Sequence, residues 1–393
     1  MVLTNKQEEA LKICLQRYRD KEPYTCIAGY AGVGKSTVVK FIISALQLAP
    51  EEVAYVSFTG KAASVLNQKG CPNASTAHKL LYFSKRLPTG NFIFKPRESL
   101  DGNYKLIIVD EVSMLPADLW ALLLSHRIHI IALGDPFQLP PIYKETDNHV
   151  LDHPHVFLDE VMRQAKDSEI IRLSMDIRAY KPIFYQKGNE VQVVHSSQVV
   201  GGMYTWADQI ITATNKKRKE INDYMRKVNG FGTEPQVGDK IICCRNCWET
   251  FDKSGMSPLI NGTIGYLTKA TQKDLHYSMM NGLVPTTRVV NASFKSEFDE
   301  EYTDILIDYK ALSVGEKFLT PQQEYKLSKN SAYKHFIPVE FNYGYAITCH
   351  RAQGSQWDKV LVFEESFPRD REEHARWLYT ACTRPAKKLV LVK

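Results

Sequence analysis

The chain has 393 residues, enough for two or three domains and a sizeable core. It is 44% hydrophobic and 24% charged, and its formal charge of +6 leans only mildly towards a polyanionic partner. The opening "MVLTNKQEEA" lacks the pattern of a signal peptide and "LWALLL" is far too short to span a bilayer, so a cytoplasmic protein without a membrane segment is expected.

In chain order, Thr4 followed three residues later by Gln7 reads as a capping box opening a helix. "YTCIA" is a short apolar strand, and Gly29-Tyr30-Ala31-Gly32-Val33-Gly34-Lys35-Ser36 fits G-x-x-x-x-G-K-[ST]. "KSTVVKFIISALQL" then has helical spacing in Val38, Val39, Ile42, Ile43 and Leu46. Strand, glycine loop and helix in that order form a phosphate cradle, because the helix N-terminus supplies oriented N–H groups. The candidate nucleotide contacts are therefore residues 29 to 36 together with Thr37.

From Lys79, "KLLYFSKRLPTGNFIFKPRESLDG" carries a turn at 88–91 between arms bearing Tyr82, Phe83, Phe92 and Phe94. Lys79, Lys85, Arg86, Lys95 and Arg97 are interleaved with them. Such a hairpin either packs its rings on the first domain or follows a phosphate backbone while stacking on bases. Next comes "YKLIIVDEVSML", where four apolar residues mark a strand buried on both faces of a parallel sheet. Asp110 at its carboxyl end would hold Mg²⁺ with Ser36, and Glu111 would polarise the attacking water. "IHIIALGD" is a third strand, with Gln138 just beyond it and well placed to sense a γ-phosphate.

"NKKRKEINDYMRK" reads as a solvated helix face. Between 236 and 332 the pattern changes to short strands, "DKIICCR", "PLINGTIGYLT", "TRVVNASF" and "TDILIDYKAL", which suggest a small β-barrel. The eight cysteines are scattered. Cys244 and Cys247 form a C-x-x-C without a second pair or histidines at zinc spacing, so that stretch reads as a strand running into a turn. "YAITCHRAQGSQWDKVLV" and "LYTACTRPAKKLVLV" each couple polar residues to an apolar strand. Arg384, between small polar residues, suits an arginine finger on a γ-phosphate.

In this order the motifs resemble those of the superfamily 1 DNA helicases of the RecD-like branch, over almost the entire chain. "LTNKQEEAL" is similar to the Q motif, which makes Gln7 the implied adenine reader. "VSFTGKAASVL" resembles motif Ia, with Thr59, Gly60 and Lys61 on DNA, and "ASTAHKLL" motif Ib, with Ser75, Thr76 and His78 on DNA. "IIVDEVSML" resembles motif II and "GDPFQLPP" motif III. "LDEVMRQAKDSEIIRLSMDIR" resembles motif IV, and makes Arg163 a second phosphate-sensing arginine. "YAITCHRAQGS" resembles motif V, with Gly354 on the nucleotide and Thr348 and His350 on DNA. "LYTACTR" resembles motif VI, with Arg384 as the finger.

The resemblance implies an α/β fold of two RecA-like P-loop domains with a β-hairpin insertion in the first and a small SH3-like β-barrel insertion in the second. The expected spans are 1–152, with the hairpin at about 79–103, then 153–232 with 334–393, and the insertion at 236–332. ATP and Mg²⁺ are the implied cofactors. The implied partners are single-stranded DNA and forked or tailed duplex DNA, with a single-strand-binding protein as a further one, and the chain is expected to act as a monomer. It would travel 5′ to 3′ and unwind duplexes in replication, recombination or repair, with Phe92 and Phe94 on a strand-separating pin. Two positions depart from the family pattern: Arg351 stands where Lys is usual and Gln356 where Glu is usual. The segment from Ser313 to Tyr333 is also shorter than its counterpart in the small phage members. The rival readings are a P-loop kinase, a nucleotide-gated DNA clamp and a helicase acting on RNA.

Overall fold

The structure, a computed structural model, describes residues 3–68, 70–86, 92–140, 147–160, 167–255, 257–275, 287–330 and 336–393. Leu106–Val109 forms a strand whose alternate side chains enter two different cores. Ile107 and Val109 pack with Ala54, Val56, Leu115 and Leu123, whereas Leu106 and Ile108 pack with Ile27, Val38, Ile42 and Ile131. Side chains alternate along a strand, so a continuous apolar run is favourable only where both faces are covered. Helices Asn5–Arg19 and Lys35–Ala45 supply one cover, and Ala77–Leu81 with Ala117–Ser125 the other.

This strand lies inside a six-stranded parallel sheet. Its order is Ser75–Thr76, Val53–Ser57, Leu106–Val109, His129–Gly134, Tyr24–Gly29 and Val156–Leu158. The register pairs Val109 with Ala132 and Ala28 with Gly134, so Gly29, Asp110 and Asp135 all emerge at the carboxyl edge. Ligands bind at that edge in open α/β sheets.

A second six-stranded sheet runs in the order Ala346–Thr348, Gln209–Thr212, Trp357–Phe363, Pro385–Val392, Val191–Val194 and Gln186–Lys187. Its neighbours from Gln209–Thr212 to Val191–Val194 are parallel, and Gln186–Lys187 closes the edge antiparallel. Helices Glu169–Arg178 and Arg371–Cys382 pack on one another. Both sheets belong to one compact unit, Met1–Phe83, Lys95–Asn215 and Ile347–Lys393.

The other unit comprises Ser84–Phe94 and Lys216–Ala346. It contains a five-stranded antiparallel sheet ordered Glu301–Asp308, Thr287–Ser296, Ile264–Leu275, Lys240–Cys243 and Phe341–Tyr343. Phe294, Tyr302 and Phe341 are fully buried in it. Two expectations need correction here. "PLINGTIGYLT" is two strands, because Pro258–Leu259 pairs with Cys247–Phe251 before the chain turns at Gly262 (φ 89°). "TDILIDYKAL" ends in helix Tyr309–Val314, because the Asp308 carboxylate accepts from the N–H groups of Lys310 and Ala311 and caps it. Helix Asn215–Val228 has the expected solvated face, and its other side buries Ile221, Met225 and Arg226, the last 7% exposed and paired with Asp239 at 2.9 Å.

Strands Tyr82–Arg86 and Phe92–Pro96 pair in a two-stranded sheet, and the turn at 88–91 lies outside the described residues. Arg97 closes its base, with N–H donating to the Leu81 carbonyl (2.8 Å) and Nε to that of Tyr82 (3.2 Å). Among the described residues no helix is long and apolar enough to cross a membrane.

Candidate nucleotide site and nucleic-acid surface

Strand Tyr24–Gly29 runs into a loop where Gly32 (φ 78°) and Gly34 (φ 79°) take the left-handed conformation that side-chain-bearing residues avoid. Gly34 is also the N-cap of helix Lys35–Ala45. The first-turn N–H groups of that helix have no intrahelical acceptor, so with the helix dipole they form an anion-binding end. Lys35 folds over the loop, with Nζ donating to the carbonyls of Gly29 (2.5 Å) and Tyr30 (3.1 Å). Gln7 is 1% exposed. Its amide donates to the Val33 carbonyl (2.9 Å) and accepts from the Thr4 N–H (3.0 Å), completing a capping box. The amide nitrogen therefore ties the first helix to the loop, while the amide oxygen caps that helix.

Beside the loop lies a cavity of about 170 Å³ lined by Ser36, Asp110, Glu111, Gly354, Ser355, Gln356, Thr383 and Arg384, with Ala62, Val65 and Leu66 as its apolar wall. Asp110 accepts from the Glu111 N–H through Oδ1 at 3.0 Å. Arg384 is 6% exposed, and its Nη1 stands 3.6 Å from Glu111 Oε1. The guanidinium is held in place by the Thr380 carbonyl at 3.0 Å and the Thr383 hydroxyl at 3.1 Å.

The Glu111 side chain keeps 24% of its surface exposed, yet its Oε2 is buried and has no hydrogen-bond partner. Burial raises the Glu111 pKa above the ordinary carboxylate value, against the pull of the Arg384 charge. Such a carboxylate is a stronger base than an exposed one and has a lone pair to receive a proton. Gly354 (φ 70°) completes the wall, and a Cβ there would stand 3.4 Å from Glu111 Oε2 and 3.1 Å from Ala62 Cβ.

Among the described residues no cluster of three His, Cys, Asp or Glu side chains could hold a metal ion. A cation in this cavity would take the oxygens of Ser36 and Asp110 and complete its shell from phosphate and water, which is the habit of Mg²⁺.

The other expected site residues are spread more widely. Gln138 is half-buried in a turn, its N–H on the Asp135 carbonyl at 3.2 Å, and does not line the cavity. Arg163 lies outside the described residues. Thr59 caps helix Gly60–Gln68 through the Ala62 N–H (3.2 Å), and Thr76 caps Ala77–Leu81 through the Lys79 N–H (3.2 Å). Lys61, expected on DNA, is 6% exposed, with its ammonium 4.1 Å above the Trp357 ring. Ser75 sits in the edge strand. The His78 ring is 6.1 Å from Phe58 and stacked at 5.9 Å on Tyr82.

Thr348 is the N-cap of the short helix Cys349–Ala352, which carries His350. Burial lowers the pKa of both His78 and His350. Phe92 and Phe94 fall in the second strand of the two-stranded sheet. Sequence reasoning missed the wall formed by Ala62, Val65 and Leu66, although i, i+3, i+4 spacing on one helix face is the signal for it. It also missed Tyr379, whose hydroxyl accepts from the Ala31 N–H at 2.9 Å.

Residues 2–196 match the AAA domain family, and residues 343–392 the UvrD-like helicase C-terminal domain family. The ATP-dependent DNA helicase dda of Enterobacteria phage T4 is 32% identical over 281 residues, covering 64% of this chain and 63% of that protein. The ATP-dependent RecD2 DNA helicase of Deinococcus radiodurans is 26% identical over 362 residues, covering 85% of this chain and 42% of that protein. The chain thus spans less than two thirds of either relative. Among solved structures, Pif1 helicase from Bacteroides in complex with ADP-AlF3 and ssDNA superimposes with a TM-score of 0.54 at 16% identity, covering 100% of this chain and 92% of that one. Pif1 helicase from Candida albicans gives 0.52 at 17% identity, covering 100% and 94%. These two likenesses establish the α/β fold.

Proposed function

We infer that this chain, a superfamily 1 helicase of the RecD-like and Pif1-like kind, is an ATP-dependent enzyme that moves along single-stranded DNA and opens duplex DNA ahead of it. The observation that carries this reading is the 3.6 Å approach of Arg384, beside the second sheet, to Glu111 at the edge of the first. A P-loop protein that merely binds a nucleotide has no need of a cation brought there from a second sheet.

ATP with Mg²⁺ supplies the phosphoryl group to be transferred and a cation that offsets its charge. Lys35 and the loop N–H groups bind the β- and γ-phosphates, while Ser36 and Asp110 hold the cation. Glu111 takes a proton from the attacking water through its unpartnered oxygen, and Arg384 faces the charge that develops on the phosphoryl group. Arg163 is a second such arginine. Because Arg384 and Glu111 border different sheets, the step is sensitive to the spacing between those sheets. That sensitivity lets hydrolysis drive motion.

In this reading 1–152 and 153–232 with 334–393 are RecA-like domains, 79–103 is a hairpin pin, and 236–332 is an SH3-like insertion. Thr59, Gly60, Lys61, Ser75, Thr76, His78, Thr348, His350, Phe92 and Phe94 form the DNA surface, and travel is 5′ to 3′ by one copy of the chain on tailed or forked duplexes. The helicase names of the relatives support the assignment. ATP turnover with and without single-stranded DNA tests it. Strong stimulation is expected; turnover indifferent to DNA supports another P-loop hydrolase or kinase, and DNA binding without turnover supports a clamp.

A further inference from the structure

Tyr379 is fully buried within helix Arg371–Cys382, and its hydroxyl is bonded on two sides. It accepts from the Ala31 N–H of the phosphate loop at 2.9 Å and donates to Asp135 Oδ2 at 2.6 Å. Asp135 is 2% exposed and sits just beyond strand His129–Gly134, where its other oxygen accepts from the Phe137 N–H at 3.0 Å. Burial and the Asp135 carboxylate both raise the tyrosine pKa, so the proton stays on the phenol and the direction of the chain is fixed.

The same helix grips the turn after Asp135 twice more. The Thr380 hydroxyl accepts from the Leu139 N–H (2.9 Å), and Arg376 Nη1 donates to the Pro136 carbonyl (3.0 Å). Arg384 follows two residues after the helix ends. On the loop side, Tyr30 is clamped separately by the Arg178 guanidinium, 3.4 Å over its ring.

A phenylalanine would fill the same space, so packing alone does not account for the hydroxyl. We propose that Tyr379 is a positioning residue, whose hydroxyl fixes the distance between the phosphate loop and the helix that delivers Arg384. The strut joins three segments that the sequence separates widely: the loop at Ala31, the turn at Asp135 and the arginine at 384. This inference rests on the ATPase reading of the cavity.

Tyr379→Phe removes one oxygen and keeps the ring. In the full chain, turnover with single-stranded DNA should fall about 10- to 100-fold, the scale of a small misplacement of a reacting group. The dissociation constant for a fluorescent ATP analogue should barely change, because Lys35, Gly32 and Gly34 are untouched. Thr380→Val is the comparator: it removes a bond from the same helix to the same turn and leaves the loop bond intact. Wild-type turnover in Tyr379→Phe, or equal loss in both variants, overturns the inference. A wild-type chain that hydrolyses no ATP would instead overturn the reading beneath it. Should Tyr379→Phe not fold, hydrogen exchange at the Ala31 amide of the wild-type chain decides: slow exchange is expected, and exchange at the rate of an exposed loop contradicts the strut.

Discussion

Glu111 holds its backbone at φ 52°, a left-handed conformation that disfavours a side-chain-bearing residue by about 1–2 kcal/mol. It also leaves Oε2 buried without a partner. Both features are expected at a catalytic position and neither helps the fold. Glu111→Gln should therefore retain ATP binding while turnover falls by about 10² to 10⁴, the range of a positioned acid–base group. An unchanged turnover number would make Glu111 a bystander. Because burial raises its pKa, the acid limb of turnover against pH should lie above the ordinary glutamate value of 4.5 in the wild type. A limb at or below that value would contradict the base assignment. Lys35 bonds the loop carbonyls of Gly29 and Tyr30, so Lys35→Ala should abolish hydrolysis and leave the melting temperature close to wild type. Comparable DNA-stimulated turnover in the two proteins would remove the loop from the mechanism.

At the scale of elements, what could be read in the sequence depended on whether the deciding contact was local. Leu106–Val109 was legible because four apolar residues in a row suit only a doubly covered strand. The phosphate loop was legible because its glycines and the helix after it lie within sixteen residues of each other. The helix Tyr309–Val314 was not, because an apolar strand pattern runs straight into it and only the Asp308 side chain marks the change. The ring contact of Lys61 was not legible for the opposite reason: Trp357, which lies under its ammonium, is almost three hundred residues away in sequence. The same distance hid Tyr379.

The paired strands Tyr82–Arg86 and Phe92–Pro96 carry an element-level prediction. Phe92 and Phe94 are two residues apart in one strand, the spacing at which strand residues repeat on one face. Base–aromatic stacking contributes about 1–3 kcal/mol, comparable to the roughly 1.4 kcal/mol of a DNA stacking step. The double change Phe92→Ala with Phe94→Ala should therefore cripple unwinding and spare DNA-stimulated ATP turnover. Equal loss of both activities would assign the rings to packing instead.

At the scale of the molecule, five histidines among the described residues, 78, 126, 129, 155 and 350, are held below the ordinary value of 6.5 by burial. An unfolded histidine takes up its proton near 6.5, whereas the buried ring does so only at lower pH. As pH falls through 6.5 the unfolded state therefore gains protons that the native state does not, and stability declines. Glu111 acts in the opposite sense: its native pKa is raised, so it gains its proton in the folded state first. Five groups against one predict a melting temperature that falls between pH 7 and pH 5, and a flat or rising curve would contradict the burial of those rings.

On the proposed reading, an ATP-hydrolysing cavity between two sheet edges drives strand separation. Its most direct test is displacement of a labelled strand from a duplex bearing a 5′ tail, a 3′ tail or no tail, with ATP and Mg²⁺ and with each omitted. ATP-dependent displacement is expected from the 5′-tailed duplex and none from the blunt one. DNA-stimulated hydrolysis without displacement from any tailed duplex would contradict it.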